Sequence, residues 1–106
     1  MTLKVPTITL PELIELAPAG KQLAYLNIDV EGLDEVLIGS LDFEAIRPHV
    51  MTVEAHLPYA GRLEALAASP THRGLTAAGY VLIAQCAVTS VYFDGRLMEQ
   101  LPELWV

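Results

Sequence analysis

Apolar residues recur along the chain with two spacings, one typical of strands and one typical of helices. Four stretches have the length and composition of strands, and they span residues 23–28, 49–56, 80–86 and 89–93. Only two residues separate the third stretch from the fourth, so we predict that these two strands form an antiparallel hairpin.

The first helix is predicted to begin after Thr9. Residues 9–12 read Thr-Leu-Pro-Glu, which is the pattern of a capping box with Thr9 as the N-cap residue. The apolar positions that share one face of this helix are Leu10, Leu13, Ile14 and Ala17. Pro18 and Gly20 are predicted to end it.

Helical spacing returns in four later segments: Leu33, Val36 and Leu37; residues 62–68 with Leu63, Leu66 and Ala67 facing inward; residues 72–78; and Leu97, Leu101 and Leu104. Asp34 and Glu35 lie in the first turn of the second helix, where the positive end of the helix dipole favours acidic residues. Helices and strands therefore alternate until the final hairpin. This order predicts an α/β fold with a mixed sheet, in which two parallel strands are followed by a C-terminal antiparallel hairpin and helices flank the sheet.

The charge of the chain excludes one class of ligand. With 13 Asp and Glu against 6 Lys and Arg, the formal net charge is -7. The six basic residues are scattered singly, whereas a protein that binds a phosphate backbone clusters them. We therefore expect no nucleic-acid partner.

Composition also limits where the protein resides. Hydrophobic residues make up 53% of the 106 residues, yet the longest mostly apolar run, residues 77–88, is shorter than the roughly 20 residues of a membrane-spanning helix. Behind Met1 there is no apolar segment of signal-peptide length. A single cysteine, Cys86, excludes an internal disulfide framework, and we expect it to be buried in its strand. These features predict a cytoplasmic domain with no membrane partner.

Acidic residues cluster in the middle of the chain, where 7 of the 13 lie between positions 29 and 54. Asp29 and Glu31 directly follow the first predicted strand, and Glu54 and His56 end the second. Because ligands bind outside the carboxyl ends of parallel strands, we expect these side chains to converge if the two strands are neighbours. Such a group could hold a divalent cation, accept hydrogen bonds from sugar hydroxyls or act as a general base.

Structural roles for the same residues stay open at this point. Asp29 and Glu31 could cap the helix that follows, and His56 could be a hydrogen-bonded residue at the end of a strand. His49 and His72 have no companions in the sequence, so we assign them no role. The aromatic residues Tyr80, Tyr92 and Phe93 are predicted to pack in the core or on the sheet, and Trp105 lies next to the C-terminus.

Residues 26–32 read Leu-Asn-Ile-Asp-Val-Glu-Gly, which resembles the signature of FkbM-type methyltransferases. In that family the sequence Ile-Asp-Val-Glu-Gly is followed by an acidic residue and Val-Leu, and residues 33–39 here read Leu-Asp-Glu-Val-Leu-Ile-Gly. The likeness continues through residues 42–48, Val53 and Glu54, residues 78–80 and residues 91–93, so that it covers about residues 5–95.

This resemblance implies a partial Rossmann-like fold of the class I methyltransferases, which use S-adenosylmethionine (SAM). It implies O-methylation of a hydroxyl on a small molecule or a sugar. Asp29 and Glu31 would be catalytic residues near the transferred methyl group, and Glu54 and His56 would bind the substrate. No metal is expected.

One departure from the family pattern concerns the cofactor. Class I enzymes hold SAM on a glycine-rich loop, but no two of the glycines at positions 20, 32, 39, 61, 74, 79 and 95 are close enough for a Gly-x-Gly loop. We therefore expect residues 1–106 to be a single partial domain, the C-terminal part of a methyltransferase domain with its signature at residues 26–37. The cofactor-binding half would be absent, the fragment would be inactive alone, and its first strand would be an exposed edge.

Two other functions fit the same residues. The chain could be a non-catalytic interaction module that covers its open sheet edge by self-association. Alternatively, Asp29 and Glu31 could form a metal-binding acidic pair in a metal-dependent nucleotide-sugar-binding protein.

Overall fold

The computed structural model describes residues 1–30 and 32–100. Within these residues the chain forms, in order, helix α1 (Leu10–Glu15), strand β1 (Tyr25–Ile28), helix α2 (Asp34–Gly39), strand β2 (Val50–Glu54), helices α3 (Arg62–Ala68) and α4 (Pro70–Ala77), strands β3 (Tyr80–Cys86) and β4 (Thr89–Asp94), and the short helix α5 (Gly95–Met98). None of these helices is long and apolar enough to cross a membrane.

The four strands form one mixed sheet in the order β1-β2-β4-β3. Strands β1 and β2 are parallel neighbours, with Ile28 opposite Val53. Strand β4 pairs antiparallel with both β2 and β3. The predicted α/β class, the parallel pair and the terminal hairpin are confirmed, and β1 lies at an edge of the sheet.

The hydrophobic core lies on one face of the sheet. Strand residues Ile28, Met51 and Tyr92 meet Ile38 of α2 and Leu75 of α4 there. Met51 and Leu75 are fully buried. Helices α2 and α4 therefore hold the parallel strands from one side, and the carboxyl ends of β1 and β2 open beside them.

Several residues that the helical spacing placed inside are exposed. Leu33, Val36 and Leu63 face solvent, and Leu63 is 76% exposed. Helix α2 has only six residues and buries Ile38 together with Asp34, while α3 buries Leu66 alone. A helix of two turns or fewer contacts the core with one or two residues, so its remaining apolar side chains stay outside.

Helix α1 begins as predicted and ends early. Thr9 has extended backbone angles, and its hydroxyl accepts a hydrogen bond from the backbone N–H of Glu12 at 3.2 Å. The helix ends at Glu15 rather than near Pro18, so that Leu13 is exposed while Leu10 and Ile14 pack against the core.

Replacing Thr9 with alanine is expected to lower the free energy of unfolding by about 1 kcal/mol, because the substitution removes the N-cap acceptor of α1. Thr7→Ala is the matched control, since Thr7 is also exposed but lies outside the helix. Urea unfolding monitored by circular dichroism measures both variants. Equal stability of the two would mean that the cap contributes nothing.

Three further expectations need correction. The second of the predicted helical segments 62–68 and 72–78 begins earlier, because α4 starts at Pro70 with Ser69 as its N-cap residue. Strand β2 is shorter than the predicted residues 49–56, and His49 and His56 lie outside it. Cys86 is exposed rather than buried, because β3 ends there beside the hairpin turn. Leu101, Leu104 and Trp105 lie outside the described residues.

A buried ion pair joins the segment before β2 to the end of β4. Arg47 donates hydrogen bonds to Asp94 Oδ1 from Nε at 3.0 Å and from Nη2 at 2.8 Å, and Nη1 donates to the carbonyl of Ala78 at 2.8 Å. The guanidinium also lies 4.9 Å from the ring centroid of Tyr80. Gly79 has φ +93° and lies against this guanidinium, so a side chain there would be strained and would collide with Arg47.

Candidate active site

Two carboxylates meet at the carboxyl ends of the parallel strands. Asp29 directly follows Ile28 of β1, Glu54 is the last residue of β2, and Ile28 pairs with Val53. Loss of hydration raises the pKa of Glu54 above its ordinary value of 4.5, and the neighbouring Asp29 carboxylate raises it further. The charge of Asp34 acts in the same direction, while that of His56 lowers the pKa. The sheet thus brings Asp29 and Glu54 together.

Asp34 is the buried acid of this region. It is 7% exposed, and its Oδ1 accepts a hydrogen bond from the backbone N–H of Val30 at 3.4 Å. This bond closes the loop between β1 and α2, in which Gly32 has φ +93°. Its other oxygen, Oδ2, is buried, and no described residue donates a hydrogen bond to it. Sequence reasoning gave Asp34 only a place in the first turn of a helix.

A cavity of about 290 Å³ opens at this edge of the sheet. The polar side chains that line it include Asp34, Glu35, Glu54, His56, His72, Ser90 and Tyr92. None of the described residues that line it is a lysine or an arginine. The cavity is therefore acidic and offers mainly hydrogen-bond acceptors and imidazoles.

His72 and Tyr92 form one wall of the cavity. His72 Nδ1 and the Tyr92 hydroxyl are 2.7 Å apart, and burial raises the pKa of Tyr92 to about 12. The phenol therefore stays protonated at neutral pH. A buried hydroxyl needs an acceptor for its proton, so we assign the O–H as donating to Nδ1.

The predicted site residues are only partly assembled in the described part of the chain. Asp29 is exposed beside Glu54 and also borders an apolar groove with Ile8 and Leu13. His56 lies just beyond β2 and lines the cavity. Glu31 lies outside the described residues. No described group of three or more His, Cys, Asp or Glu residues is arranged to hold a metal ion.

Comparison with known proteins identifies the family. The model of the methyltransferase FkbM domain matches residues 2–82. The chain belongs to the FkbM methyltransferase family. A comparison with curated proteins finds no match, and neither does a comparison with solved structures.

The resemblance seen in the sequence is thus confirmed at the level of the family. The matched part of the FkbM domain runs from the N-terminus into β3, and it includes Asp29, Asp34, Glu54 and His72. Tyr92, which binds His72, lies on β4 beyond the matched residues. The family is one of methyltransferases.

Proposed function

We propose that this FkbM chain supplies the acceptor side of a SAM-dependent methyltransferase that methylates a hydroxyl of a small molecule or a sugar. The observation that carries the proposal is the meeting of Asp29 and Glu54 at the ends of two parallel strands, where the Asp29 carboxylate adds to the raised pKa of Glu54. Carboxylates at such a strand end are suited to orient a hydroxyl and to act as a general base.

O-methylation requires that the acceptor hydroxyl lose its proton while its oxygen forms a bond to the methyl carbon. SAM, when bound, supplies that methyl group in an electrophilic form. We assign Asp29, with Glu31, as the catalytic pair that orients the hydroxyl and accepts its proton. Glu54 and His56 then bind the substrate beside it.

The contacts of the loop after β1 favour this catalytic role over a structural one for Asp29. The N-cap position of α2 is Leu33, which carries no side-chain acceptor, and the loop N–H of Val30 is bound by Asp34. Within the described residues Asp34 therefore performs the structural task that Asp29 could have performed. This leaves the exposed Asp29 carboxylate available to a ligand.

The described residues fit the acceptor and do not fit the adenosyl part of SAM. The closest glycines in the sequence, Gly74 and Gly79, are five positions apart, and Gly74 lies within α4 while Gly79 directly precedes β3, so neither follows a parallel strand. A loop that cradles the cofactor closely needs more closely spaced glycines. We propose that the chain alone is inactive and that a cofactor-binding half packs against the β1 edge.

Methyl transfer from radiolabelled SAM to a panel of hydroxylated small molecules, including monosaccharides, tests this function. The chain is assayed alone and together with the polypeptide encoded directly upstream of its Met1 codon. We expect transfer only in the second preparation. Transfer by the chain alone would contradict the need for a cofactor half, and no transfer in either preparation would contradict the function.

A second candidate function has its own structural support. Strand β1 lies at the edge of the sheet, and Tyr25 on this strand and Leu13 and Leu16 of the nearby α1 segment are exposed. A strand edge of this kind can pair with a second copy of the chain or with another protein. Light scattering that shows a defined dimer would favour this non-catalytic interaction module, and a monomer would favour the enzyme.

A further inference from the structure

The acidic cavity contains an acceptor to which none of the described residues donates. Asp34 is more than nine-tenths buried and lines the cavity, and no described residue donates to its Oδ2. Glu54 lies in the same wall. A buried carboxylate oxygen without a donor is unfavourable, so it is a preferred position for a hydrogen-bond donor that arrives with a ligand.

The charge of the cavity selects among possible donors. Its lining holds the carboxylates of Asp34, Glu35 and Glu54 and two imidazoles, and none of the described lining residues is a lysine or an arginine. Asp29 lies beside Glu54. A neutral hydroxyl would satisfy one oxygen and leave the repulsion between the carboxylates in place. A protonated amine would satisfy the oxygen and also oppose that repulsion, because a cation between like charges stabilises both.

A metal ion is the less suitable cation for this position. The described residues contain no group of three or more metal-ligating side chains arranged around one point. Asp34 also uses Oδ1 to bind the Val30 N–H, so among the described contacts only the buried Oδ2 lacks a donor. A single unpartnered oxygen matches one N–H donor better than the six or more oxygen ligands of a hard divalent cation.

We propose that the acceptor of this methyltransferase carries a protonated amino group, which binds Asp34 Oδ2 and Glu54 in the cavity while the hydroxyl to be methylated lies at Asp29. The acceptor is then an amino sugar or an amino alcohol. This assignment rests on the proposed function only where it identifies the amine-bearing ligand as the methyl acceptor. The binding of the amine depends on the cavity and not on methyl transfer.

An NMR titration of the full 106-residue chain tests the proposal with three probes that share one ring: glucosamine, glucose and glucose 6-phosphate. We expect glucosamine to shift the backbone amides of Asp34, Glu54 and Ser90 in a saturable way. Glucose should bind about tenfold more weakly or worse, because it lacks the charged donor. Glucose 6-phosphate should leave these amides unchanged, because its charge has the same sign as the cavity.

Three variants show which carboxylates bind the amine. Asp34→Asn should weaken glucosamine binding about tenfold to a hundredfold, since it removes a charge-assisted hydrogen bond. Glu54→Gln should weaken it as well, and this variant leaves the Val30–Asp34 bond intact should the first variant fold poorly. Glu15→Gln is the matched control, because it removes one negative charge from an exposed residue of α1 outside the cavity, and it should bind glucosamine like the wild type.

The inference is wrong if glucose binds as well as glucosamine, if both carboxylate variants bind glucosamine like the wild type, or if Mg²⁺ shifts the same amides and displaces glucosamine. Its failure can be told apart from failure of the proposed function. Glucosamine binding without any methyl transfer would overturn the function and leave the amine site. Methyl transfer to amine-free hydroxyl compounds without glucosamine binding would overturn the amine site and leave the function.

Discussion

Replacing Arg47 with methionine is expected to lower the free energy of unfolding by about 3–5 kcal/mol, because it leaves the Asp94 carboxylate buried without its partner. The side chains of Arg47 and Asp94 are only 13% and 6% exposed, and two nitrogens of the guanidinium share one oxygen of Asp94. The same substitution removes the bond to the Ala78 carbonyl and the contact with the Tyr80 ring. Urea unfolding of the two proteins measures the difference.

The ion pair between Arg96 and Glu44 provides the control for this prediction. Its Nη2–Oε1 distance is also 2.8 Å, but the two side chains are 57% and 77% exposed. Arg96→Met should therefore change the unfolding free energy by no more than about 0.5 kcal/mol. If Arg47→Met and Arg96→Met destabilise the protein equally, the buried pair does not hold β4 to the segment before β2.

Replacing Asp29 with asparagine is expected to reduce methyl transfer about a hundredfold, which is the usual contribution of a positioned acid–base group. The amide preserves the size of the side chain and cannot accept the hydroxyl proton as a carboxylate does. The rate constant for transfer, measured at saturating SAM and acceptor in the preparation that shows activity, is the quantity that should fall.

Folding of the Asp29→Asn protein should be unaffected, because in the described part of the chain Asp34 and not Asp29 binds the loop N–H. Glu15→Gln removes the same charge from an exposed residue of α1 that does not line the cavity, and it should retain full activity. Turnover by Asp29→Asn at the wild-type rate would remove Asp29 from the catalytic pair.

The strands were predictable from the sequence because their pattern depends on local hydrophobicity and on turn residues. Residues 80–86 and the capping box at Thr9 are found where the sequence places them. The burial of individual helical residues was not predictable in the same way. Leu63 and Leu66 have equivalent positions in the hydrophobic pattern, yet of the two only Leu66 is buried, because a helix of seven residues contacts the rest of the protein with few of its side chains.

In the candidate site, too, contacts that follow from the order of the strands were predictable, and contacts between side chains far apart in the sequence were not. The meeting of Asp29 and Glu54 follows from two parallel strands that are neighbours, which the alternation of helices and strands already predicts. The bond between His72 and Tyr92 joins residues that are 20 positions apart on α4 and β4, and the hydrophobic pattern contains no sign of it. Asp34 was missed for another reason, since an acid in the first turn of a helix is usually exposed, and here the loop after β1 covers it.

The pKa of Glu54 tests most directly whether Asp29 and Glu54 form one site. A pH titration of the side-chain carboxyl carbon by NMR measures it in the wild type and in Asp29→Asn. We predict a wild-type pKa above the ordinary 4.5 and a lower pKa in the variant, which retains the loss of hydration but lacks the neighbouring charge.

The same measurement has a consequence for stability. Because the pKa is raised in the folded protein, the contribution of Glu54 to stability is present below about pH 4.5 and is lost as the pH rises through the raised value.

A pKa of Glu54 at or below 4.5 in the wild type, or an identical pKa in both proteins, would contradict the convergence of the two carboxylates on which the proposed acceptor site depends.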